Sequence, residues 1–322
     1  KESSPWTIMS SYNRINGTYT SESPWLLQDV LRDEWGFEGI VMTDWFAGAD
    51  AVKQMQAGND LLMPGTQSQQ QALLNAARKG QLDVQVLDRN IERILDLIMR
   101  TRTFRHEPVS NKPDLDVHAK ISRKAATEGM VLLKNEHDAL PLAAGKKLAL
   151  FGNSAHDIII GGTGSGDVHE AYSVVLPEGM EKAGYATDKA LSQAYAQHIK
   201  AEKARRPETN PFLAPPPLPE LVPTIEQIDA AVAANDVGVI MIGRNSGEFI
   251  DRKAEGDFYL TEAEQTLIRN VSAAFHKAGK PVVVVLNIGG VIEVASWRDQ
   301  VDAILLAWQP GQEAGHAMAD VL

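Results

Sequence analysis

Short apolar runs alternate with amphipathic helical patterns along the first third of the chain, and this alternation constrains the fold more than any other feature. The run Gly39-Ile40-Val41-Met42-Thr43 has the length and composition of a buried strand. A helix is predicted before it, because Ser23 can cap a helix that starts at Pro24 and Gly36 can end that helix. Residues 86–99 carry apolar side chains at helical spacing. Such alternation is typical of parallel βα units, so the sequence predicts an α/β protein.

The alternation resumes in the second half of the chain. Strands are predicted at five apolar runs, namely 131–133, 148–151, 237–242, 282–286 and 303–307. Capping boxes at Thr224 and Thr261 predict the starts of two helices. We therefore expect a parallel sheet that is covered by helices on both faces.

A charged stretch without helical or strand periodicity separates the two halves. It contains Pro108 and Pro113 and has the composition of an interdomain linker. A proline-rich stretch at 203–223 predicts an extended or mobile insertion in the second half. The predicted organisation is a first domain at 1–102, a linker at 103–118 and a second domain at 119–322.

Composition excludes several classes of function. The 322-residue chain has 31 lysines and arginines against 42 aspartates and glutamates, a net charge of −11. This balance argues against nucleic acid or an anionic membrane as a partner, and the chain has no run of about 18 apolar residues that could span a bilayer. The absence of cysteine excludes disulfides, thiolate catalysis and cysteine-ligated zinc or iron–sulfur clusters.

The motifs predict neither a cofactor nor a metal. The eight histidines include no close pair at the spacing of metal ligands, and the G-x-S-x-G motif of α/β-hydrolases is absent. The glycine-rich segment at 161–166 lacks the lysine and the glycine spacing of a phosphate-binding loop. We interpret it as a tight loop whose backbone approaches a ligand or the other domain, with a purely structural role as the alternative.

Asp44 is the first candidate for chemistry. It directly follows the predicted strand at 40–43, and ligands of parallel α/β proteins bind at the carboxyl ends of strands. Trp45 lies beside it, and an indole next to a carboxylate is typical of a sugar-binding pocket. The alternative is an aspartate that only caps a helix or solvates a loop.

Glu248 is the second candidate. It follows the predicted strand at 237–242 by six residues, in the segment Arg244-Asn245-Ser246-Gly247-Glu248. Gly247 allows a sharp turn, so the loop could present one acid to a neighbouring site. The alternative is a solvated surface loop, because Asp251, Arg252 and Lys253 supply further charges nearby.

Seven segments, in order along the chain, carry a resemblance to a known family. They are 9–17 (MSSYNRING), 36–45 (GFEGIVMTDW), 57–65 (AGNDLLMPG), 128–135 (EGMVLLKN), 161–167 (GGTGSGD), 246–252 (SGEFIDR) and 308–313 (WQPGQE). Together they resemble glycoside hydrolase family 3, the family of β-glucosidases, β-xylosidases and their relatives. The resemblance covers essentially the whole chain.

The resemblance implies the fold and the site. It implies the C-terminal part of a (β/α)8-like barrel followed by an α/β/α sandwich, with the active site between them. It implies that Asp44 is the nucleophile and that Glu248 is the acid/base. It also implies substrate-binding roles for Met9, Tyr12, Trp45 and Ser165, the last from the sandwich. Tyr12 could orient Asp44 through a hydrogen bond.

These assignments predict a retaining exo-acting β-glycosidase, a β-glucosidase, that hydrolyses terminal non-reducing β-D-glucosyl residues through a covalent glycosyl-Asp intermediate. Its expected substrates are β-linked glucosides or oligosaccharides. A β-xylosidase or an N-acetyl-β-glucosaminidase of the same family is an alternative. So is a non-catalytic sugar-binding fragment, and a nucleotide-binding protein is the weakest alternative because the glycine-rich loop lacks phosphate-binding features.

The chain departs from the family pattern in one respect. The first portion of the family barrel, with a sugar-binding aspartate, arginines and a Lys-His pair, has no match in this sequence. We therefore expect a partial chain whose partner is that N-terminal barrel segment, in the same or a separate polypeptide. The sandwich is expected to be incomplete at its C-terminus, and the chain alone is not expected to hydrolyse glycosides. A homodimer is a further assembly that the sequence leaves open.

Overall fold

A computed structural model describes residues 2–207, 215–248 and 251–322 of the chain. The chain divides into two compact units, the first ending at Pro113 and the second extending from Asp114 to Leu322. The domain limits that the sequence predicts, at 1–102, 103–118 and 119–322, stay predictions.

The first unit is built from short strands that alternate with helices. Its strands are β1 (Thr7–Ser10), β2 (Arg14–Ile15), β3 (Thr18–Tyr19) and β4 (Ile40–Thr43). Its helices are a 3-10 turn at Thr20–Glu22, a π-helix at Trp25–Glu34, α1 (Ala51–Ala57), α2 (Gln67–Arg78) and α3 (Val84–Arg100). β1 and β4 pair in parallel, and a parallel bridge joins Met42 of β4 to Leu61. The predicted parallel βα arrangement is confirmed.

The helix between β1 and β4 begins and ends for the reasons read from the sequence. Ser23 Oγ accepts a hydrogen bond from the backbone N–H of Leu26 at 3.3 Å. Gly36 has φ +71°, and its N–H donates to the carbonyl oxygen of Arg32 at 3.0 Å, which satisfies the last turn. The buried face of the helix places Leu27 and Leu31 in a small core with Val41 of β4.

The second unit contains a six-stranded sheet and seven α-helices among its described residues, together with 3-10 turns at Gly164–Gly166 and Arg298–Gln300 and a π-helical turn at Ala254–Phe258. The strands are β5 (Val131–Asn135), β6 (Lys147–Phe151), β7 (Ala186–Thr187), β8 (Val237–Arg244), β9 (Val282–Ile288) and β10 (Ala303–Leu306). The helices are α4 (Leu115–Gly129), α5 (Asn153–His156), α6 (Leu176–Lys182), α7 (Lys189–Arg205), α8 (Ile225–Ala234), α9 (Glu262–Lys277) and α10 (Ala314–Val321). The strand order is β5-β10-β9-β8-β6-β7.

The expected all-parallel sheet is wrong at one edge. β5 pairs with β10 in the antiparallel sense, whereas the other pairs are parallel. The apolar run of β5 predicts a strand but carries no information on its direction, and an antiparallel strand at the edge of a parallel sheet is common. Val131, Leu132 and Leu133 are all exposed, as expected for an edge.

Both faces of the sheet are buried, which explains the continuous apolar runs of its central strands. Val239 and Met241 of β8 point into the core with α6 and α10, whereas Ile240 and Ile242 point into the core with α7, α8 and α9. The predicted capping boxes are present at the starts of α8 and α9, where Thr224 and Thr261 each accept a backbone N–H from the third helical residue. The prediction of helices on both faces is confirmed.

The strand order creates a switch point between β6 and β8. These two strands are neighbours, but the chain leaves β6 toward the β7 edge and leaves β8 toward β9 and β10. In open α/β sheets, ligands bind outside the carboxyl ends of strands at such a point. The loops that follow β6 and β8 are therefore the places to look for a site in this unit.

The proline-rich stretch is partly visible. Residues 215–223 form no helix or strand, and Leu218 and Leu221 pack against the core beside α7. The predicted insertion is thus without helix or strand and anchored to the core over these residues, whereas its first three residues, 203–205, are the helical end of α7 and the prediction is wrong there. Its part at 208–214 lies outside the described residues.

Candidate active site

Asp44 lies at the carboxyl end of β4 and is half-buried. Its backbone N–H donates to the carbonyl oxygen of Ser10 at 2.9 Å, which continues the pairing between β1 and β4. Its carboxylate oxygen Oδ1 accepts two hydrogen bonds, from the hydroxyl of Tyr12 at 2.9 Å and from the backbone N–H of Trp45 at 2.7 Å. One oxygen of the carboxylate is therefore held in place from two sides.

The turn after Asp44 exposes two aromatic rings. Trp45 is 56% exposed and Phe46 is 66% exposed, and the rings meet edge to face with centroids 6.1 Å apart. Phe46 has φ +63°, a backbone conformation that is costly for a bulky residue. Its N–H donates to the carbonyl oxygen of Met63 at 3.1 Å, which fixes the turn. Exposed aromatic faces of this kind suit the apolar face of a sugar ring.

Met9 is the remaining predicted substrate-binding residue of the first unit. It lies on β1 in register with Met42 of β4, and its side chain is 59% exposed. The structure thus brings Tyr12 into contact with Asp44 and leaves Met9 accessible on the neighbouring strand.

The segment 57–65, which carries part of the family resemblance, contributes two buried polar residues to the packing of this unit. Asn59 is buried, with its oxygen accepting from Ser10 Oγ at 2.8 Å and its amide donating to the carbonyl oxygens of Ser21 and Gln54. Asp60 is buried next to it and accepts from Arg32 at 2.7 Å and from Arg93 at 3.0 Å. Asp60 also accepts from the backbone N–H of Val41 at 2.8 Å.

These contacts tie the π-helix, α1 and α3 to the segment that follows α1 and to β4, directly before Asp44. Burial lowers the pKa of Arg32, and the neighbouring Asp60 carboxylate counteracts that effect. Each of these two buried charges is therefore stabilised by the other, as expected for a buried ion pair.

Glu248 lies in the loop after β8 and is half-buried. Its Oε1 accepts a hydrogen bond from the backbone N–H of Ser165 at 3.1 Å. Gly164 has φ +73°, and a side chain at this position would lie 3.2 Å from three carbons of Glu248. The glycine-rich loop therefore fits against Glu248 because it lacks a side chain there.

The same two loops meet again nearer the sheet. The backbone N–H of Thr163 donates to the carbonyl oxygen of Ser246 at 2.8 Å. Ser246 Oγ in turn donates to the side-chain oxygen of Gln309 at 3.1 Å. The sequence predicts that the backbone of the glycine-rich loop approaches a ligand or the other domain. Within this unit, its backbone approaches Glu248, and it does so with the amide of Ser165, whose residue is exposed.

Asn287 was missed by the sequence analysis. It is fully buried near the carboxyl end of β9 and makes four hydrogen bonds. Its oxygen accepts from Ser154 Oγ and from the backbone N–H of Ile159, both at 2.8 Å. Its amide donates to the carbonyl oxygens of Ile159 and Trp308, both at 2.8 Å. The sequence contains one signal for this residue. Asn287 is the single amide in a strand of seven residues whose other six are apolar.

An ion pair holds the chain that follows Glu248. Arg252 makes hydrogen bonds to both carboxylate oxygens of Asp257, the shortest at 2.6 Å, and a further one to the carbonyl oxygen of Val291. Burial opposes ionisation of Asp257, but the bonds from Arg252 outweigh it and hold the pKa of Asp257 below its ordinary value. Arg252 of the resemblance therefore anchors the chain at the point where the described residues resume.

Glu220 is a titratable group near the carboxyl end of β6. Its Oε1 accepts the backbone N–H of Asn153 at 2.9 Å. Burial raises the pKa of Glu220 to about 8, and the nearby Glu264 carboxylate adds to the shift. The group is therefore largely protonated at neutral pH.

Asp44, Tyr12, Met9 and Trp45 belong to the first unit, and Ser165 and Glu248 belong to the second. Among residues 2–207, 215–248 and 251–322, no group of three or more histidines and carboxylates could hold a metal ion. No helix in the part of the chain that the structure describes is long and apolar enough to cross a membrane.

The first unit presents a carboxylate beside an exposed indole at a strand end, and the second unit is an α/β/α sandwich with a glutamate in the loop at its switch point. This is the arrangement that the resemblance to a glycoside hydrolase implies. Two family profiles give the narrower assignment. The Glycosyl hydrolase family 3 N terminal domain matches residues 2–97, and the Glycosyl hydrolase family 3 C-terminal domain matches residues 130–322. The chain belongs to glycoside hydrolase family 3, and the resemblance noted from its motifs is confirmed.

Individual relatives agree with this assignment. The chain is 34% identical over its whole length to an exo-alpha-(1->6)-L-arabinopyranosidase of Bifidobacterium breve and 33% identical to thermostable beta-glucosidase B of Acetivibrio thermocellus. It spans 40% of the length of each. Among solved structures, beta-glucosidase 3B from Thermotoga neapolitana in complex with alpha-D-glucose is 46% identical with a TM-score of 0.91. This chain is covered completely, and that chain is covered over 46% of its length.

Proposed function

We propose that this chain is part of a retaining exo-acting β-glucosidase that removes terminal non-reducing β-D-glucosyl residues from β-linked glucosides or oligosaccharides. The observation that carries the proposal is the Asp44 carboxylate at the end of β4, held by Tyr12 and followed by the exposed ring of Trp45. Glucose in the Thermotoga neapolitana structure supports a glucosyl substrate.

In the proposed reaction, an oxygen of Asp44 attacks the anomeric carbon while the bond to the leaving oxygen breaks. Glu248 gives its proton to that leaving oxygen. In the second step, Glu248 takes a proton from water as the water oxygen attacks the anomeric carbon and releases Asp44. Trp45, Met9 and Ser165 would bind the sugar. A pair of carboxyl groups about 5–5.5 Å apart is required for this route.

The proposal includes a partner, because the chain spans less than half the length of the relatives named above. We propose that the N-terminal barrel segment of the family completes the sugar site, in the same polypeptide or in a separate one. The chain by itself is then expected to be inactive. The chain joined to the corresponding segment of Thermotoga neapolitana β-glucosidase 3B is expected to be active.

Replacement of Asp44 tests the proposal in that joined protein. Asp44→Ala is expected to abolish hydrolysis of 2,4-dinitrophenyl β-D-glucoside, since the nucleophile is removed. Azide is expected to restore turnover and to give α-D-glucosyl azide, the product of attack from the face that Asp44 occupied. Asp50→Ala, which removes a carboxylate that caps α1 and pairs with Lys53, is the matched control. Near-normal hydrolysis by Asp44→Ala would refute the assignment.

A second candidate follows from the relative in Bifidobacterium breve, which is named for action on α-(1→6)-linked L-arabinopyranosyl residues. We propose a direct comparison of kcat/KM for 4-nitrophenyl β-D-glucoside, β-D-xyloside and α-L-arabinopyranoside. A preference for the first supports the β-glucosidase. A preference for either pentoside would replace it with a β-xylosidase or an arabinopyranosidase of the same mechanism.

A further inference from the structure

We propose that Asn287 is a positioning residue for Glu248, and that it acts through the glycine-rich loop. The inference rests on the proposed role of Glu248 as acid/base. The hydrogen bonds of Asn287 go to Ser154, Ile159 and Trp308, so its effect on Glu248 must pass through the backbone that it holds.

The first step is the attachment of the loop to the sheet. Asn287 binds both backbone groups of Ile159, accepting from its N–H and donating to its carbonyl oxygen, each at 2.8 Å. Ile159 begins the stretch that leads into the glycine-rich segment, and the carbonyl oxygen of Ile160 accepts the N–H of Gly311 at 2.9 Å. Asn287 also holds the carbonyl oxygen of Trp308. The loop after β6 and the loop after β10 are therefore fastened to one buried side chain.

The second step is the contact of that loop with Glu248. The N–H of Thr163 donates to the carbonyl oxygen of Ser246 and the N–H of Ser165 donates to Glu248 Oε1, so the glycine-rich loop holds the loop of the acid at two points and the acid itself at one. A displacement of the loop moves the donor of Ser165 away from this oxygen. Misplacement of a catalytic group by about 1 Å can cost about 100-fold in rate.

The contact also distinguishes the two oxygens of the acid. In a protonated carboxyl group, one oxygen accepts hydrogen bonds and the other carries the proton. Because Oε1 accepts from the Ser165 amide, the geometry assigns the transferable proton to Oε2. The loop thereby aims one oxygen of Glu248 at the leaving group, and Asn287 fixes the loop that does so.

A leaving-group series tests the inference in the joined protein. For Asn287→Ala, kcat/KM is expected to fall at least tenfold more for alkyl β-D-glucosides than for 2,4-dinitrophenyl β-D-glucoside, which needs no proton donor. Asn235→Ala is the matched control, because Asn235 is an equally buried amide that bonds to Asp188 and Ala231 before β8. An equal loss for all substrates in Asn287→Ala would overturn the inference. If the unsubstituted protein hydrolyses no glycoside, the proposed function fails instead.

Hydrogen exchange at the backbone amide of Ser165 tests the inference without any substrate. In Asn287→Ala, and in Glu248→Ala, the amide of Ser165 is expected to exchange at least tenfold faster, whereas Asn235→Ala leaves it unchanged. Ser154→Ala, which removes one of the four bonds to Asn287, is the milder variant and is expected to shift exchange in the same direction. Unchanged exchange at Ser165 in both Asn287→Ala and Ser154→Ala would contradict the proposal.

Discussion

The hydroxyl of Tyr12 lies 2.9 Å from Oδ1 of Asp44, across 32 positions of sequence. The amide of Trp45 donates to the same oxygen. Because both donors bind Oδ1, we expect Oδ2 to be the oxygen that attacks the sugar. Removal of the hydroxyl should leave the carboxylate in place but allow it to rotate.

Tyr12→Phe is therefore expected to lower kcat by about 10- to 100-fold in the joined protein. A hydrogen bond to a charged group contributes about 1.5–3 kcal/mol, and about 1.4 kcal/mol corresponds to a tenfold change in rate. Steady-state kinetics with 4-nitrophenyl β-D-glucoside measures the effect. Tyr19→Phe is the control, because the ring of Tyr19 lies against Arg14 and not against Asp44. An unchanged kcat in Tyr12→Phe would show that the contact has no part in orienting the nucleophile.

Glu248→Ala separates acid catalysis from substrate binding. We expect a loss of about 100-fold or more with alkyl glucosides, as is typical when a general acid is removed, and a small loss with 2,4-dinitrophenyl β-D-glucoside. The ratio of kcat/KM for the two substrates is the measurement. Glu255→Ala, which removes an exposed glutamate later in the same loop, should leave the ratio unchanged. Equal losses for both substrates would count against a role as acid.

Asp60→Asn is expected to destabilise the first unit by about 3–5 kcal/mol, because Arg32 and Arg93 would lose the carboxylate that compensates their burial. Urea unfolding followed by tryptophan fluorescence measures the change. Lys53→Gln breaks an exposed ion pair with Asp50 in the same unit and should cost less than about 1 kcal/mol. If both variants unfold at the same urea concentration, the buried cluster contributes little to stability.

The raised pKa of Glu220 predicts a pH dependence of stability. The unfolded chain loses this proton near pH 4.5, whereas the folded protein keeps it until about pH 8. Between these values the folded state binds the extra proton, so its stability falls as the pH rises, by at most about 1.4 kcal/mol per pH unit. Glu220→Gln should remove this slope and unfold later than the unsubstituted protein at pH 8.

Glu226→Gln is the contrasting variant, because the pKa of Glu226 is shifted down and that of Glu220 is shifted up. Glu226 is exposed at the start of α8, where backbone and side-chain hydrogen bonds lower its pKa. Its charged form is therefore favoured in the folded state, and its loss should not improve stability at high pH. Melting temperatures between pH 4.5 and pH 8 compare the two variants. A parallel pH profile for Glu220→Gln and the unsubstituted protein would refute the first expectation.

The alternation of apolar runs and helical patterns was sufficient to predict the α/β class and both capped helices. It was not sufficient for the direction of β5, because a strand has the same periodicity in either direction. Helix α7 was also not recognised. Its buried residues Leu191, Tyr195 and Ile199 form a stripe one residue wide, diluted by alanines and polar side chains.

The candidate site also has a part that the sequence predicts and a part that it does not. Asp44 could be located because the end of its strand is visible in the sequence, and its catalytic role stays a prediction, as does that of Glu248. The contact between Ser165 and Glu248 could not be predicted, because 83 positions separate them and only the adjacency of β6 and β8 brings them together. Strand order depends on how whole helices pack on the sheet, which no local pattern contains.

The switch point between β6 and β8 also bears on how such a chain can diverge. The segment at 167–236 leaves the site, forms β7 and α7 at the far edge, and returns to a strand that is already beside its starting point. Lengthening a loop between the packed helices of this segment costs little in loop entropy. Insertions and deletions in these loops can therefore accumulate between lineages without altering the spacing between the glycine-rich loop and the loop that carries Glu248, so this segment is where homologous chains should differ most in length.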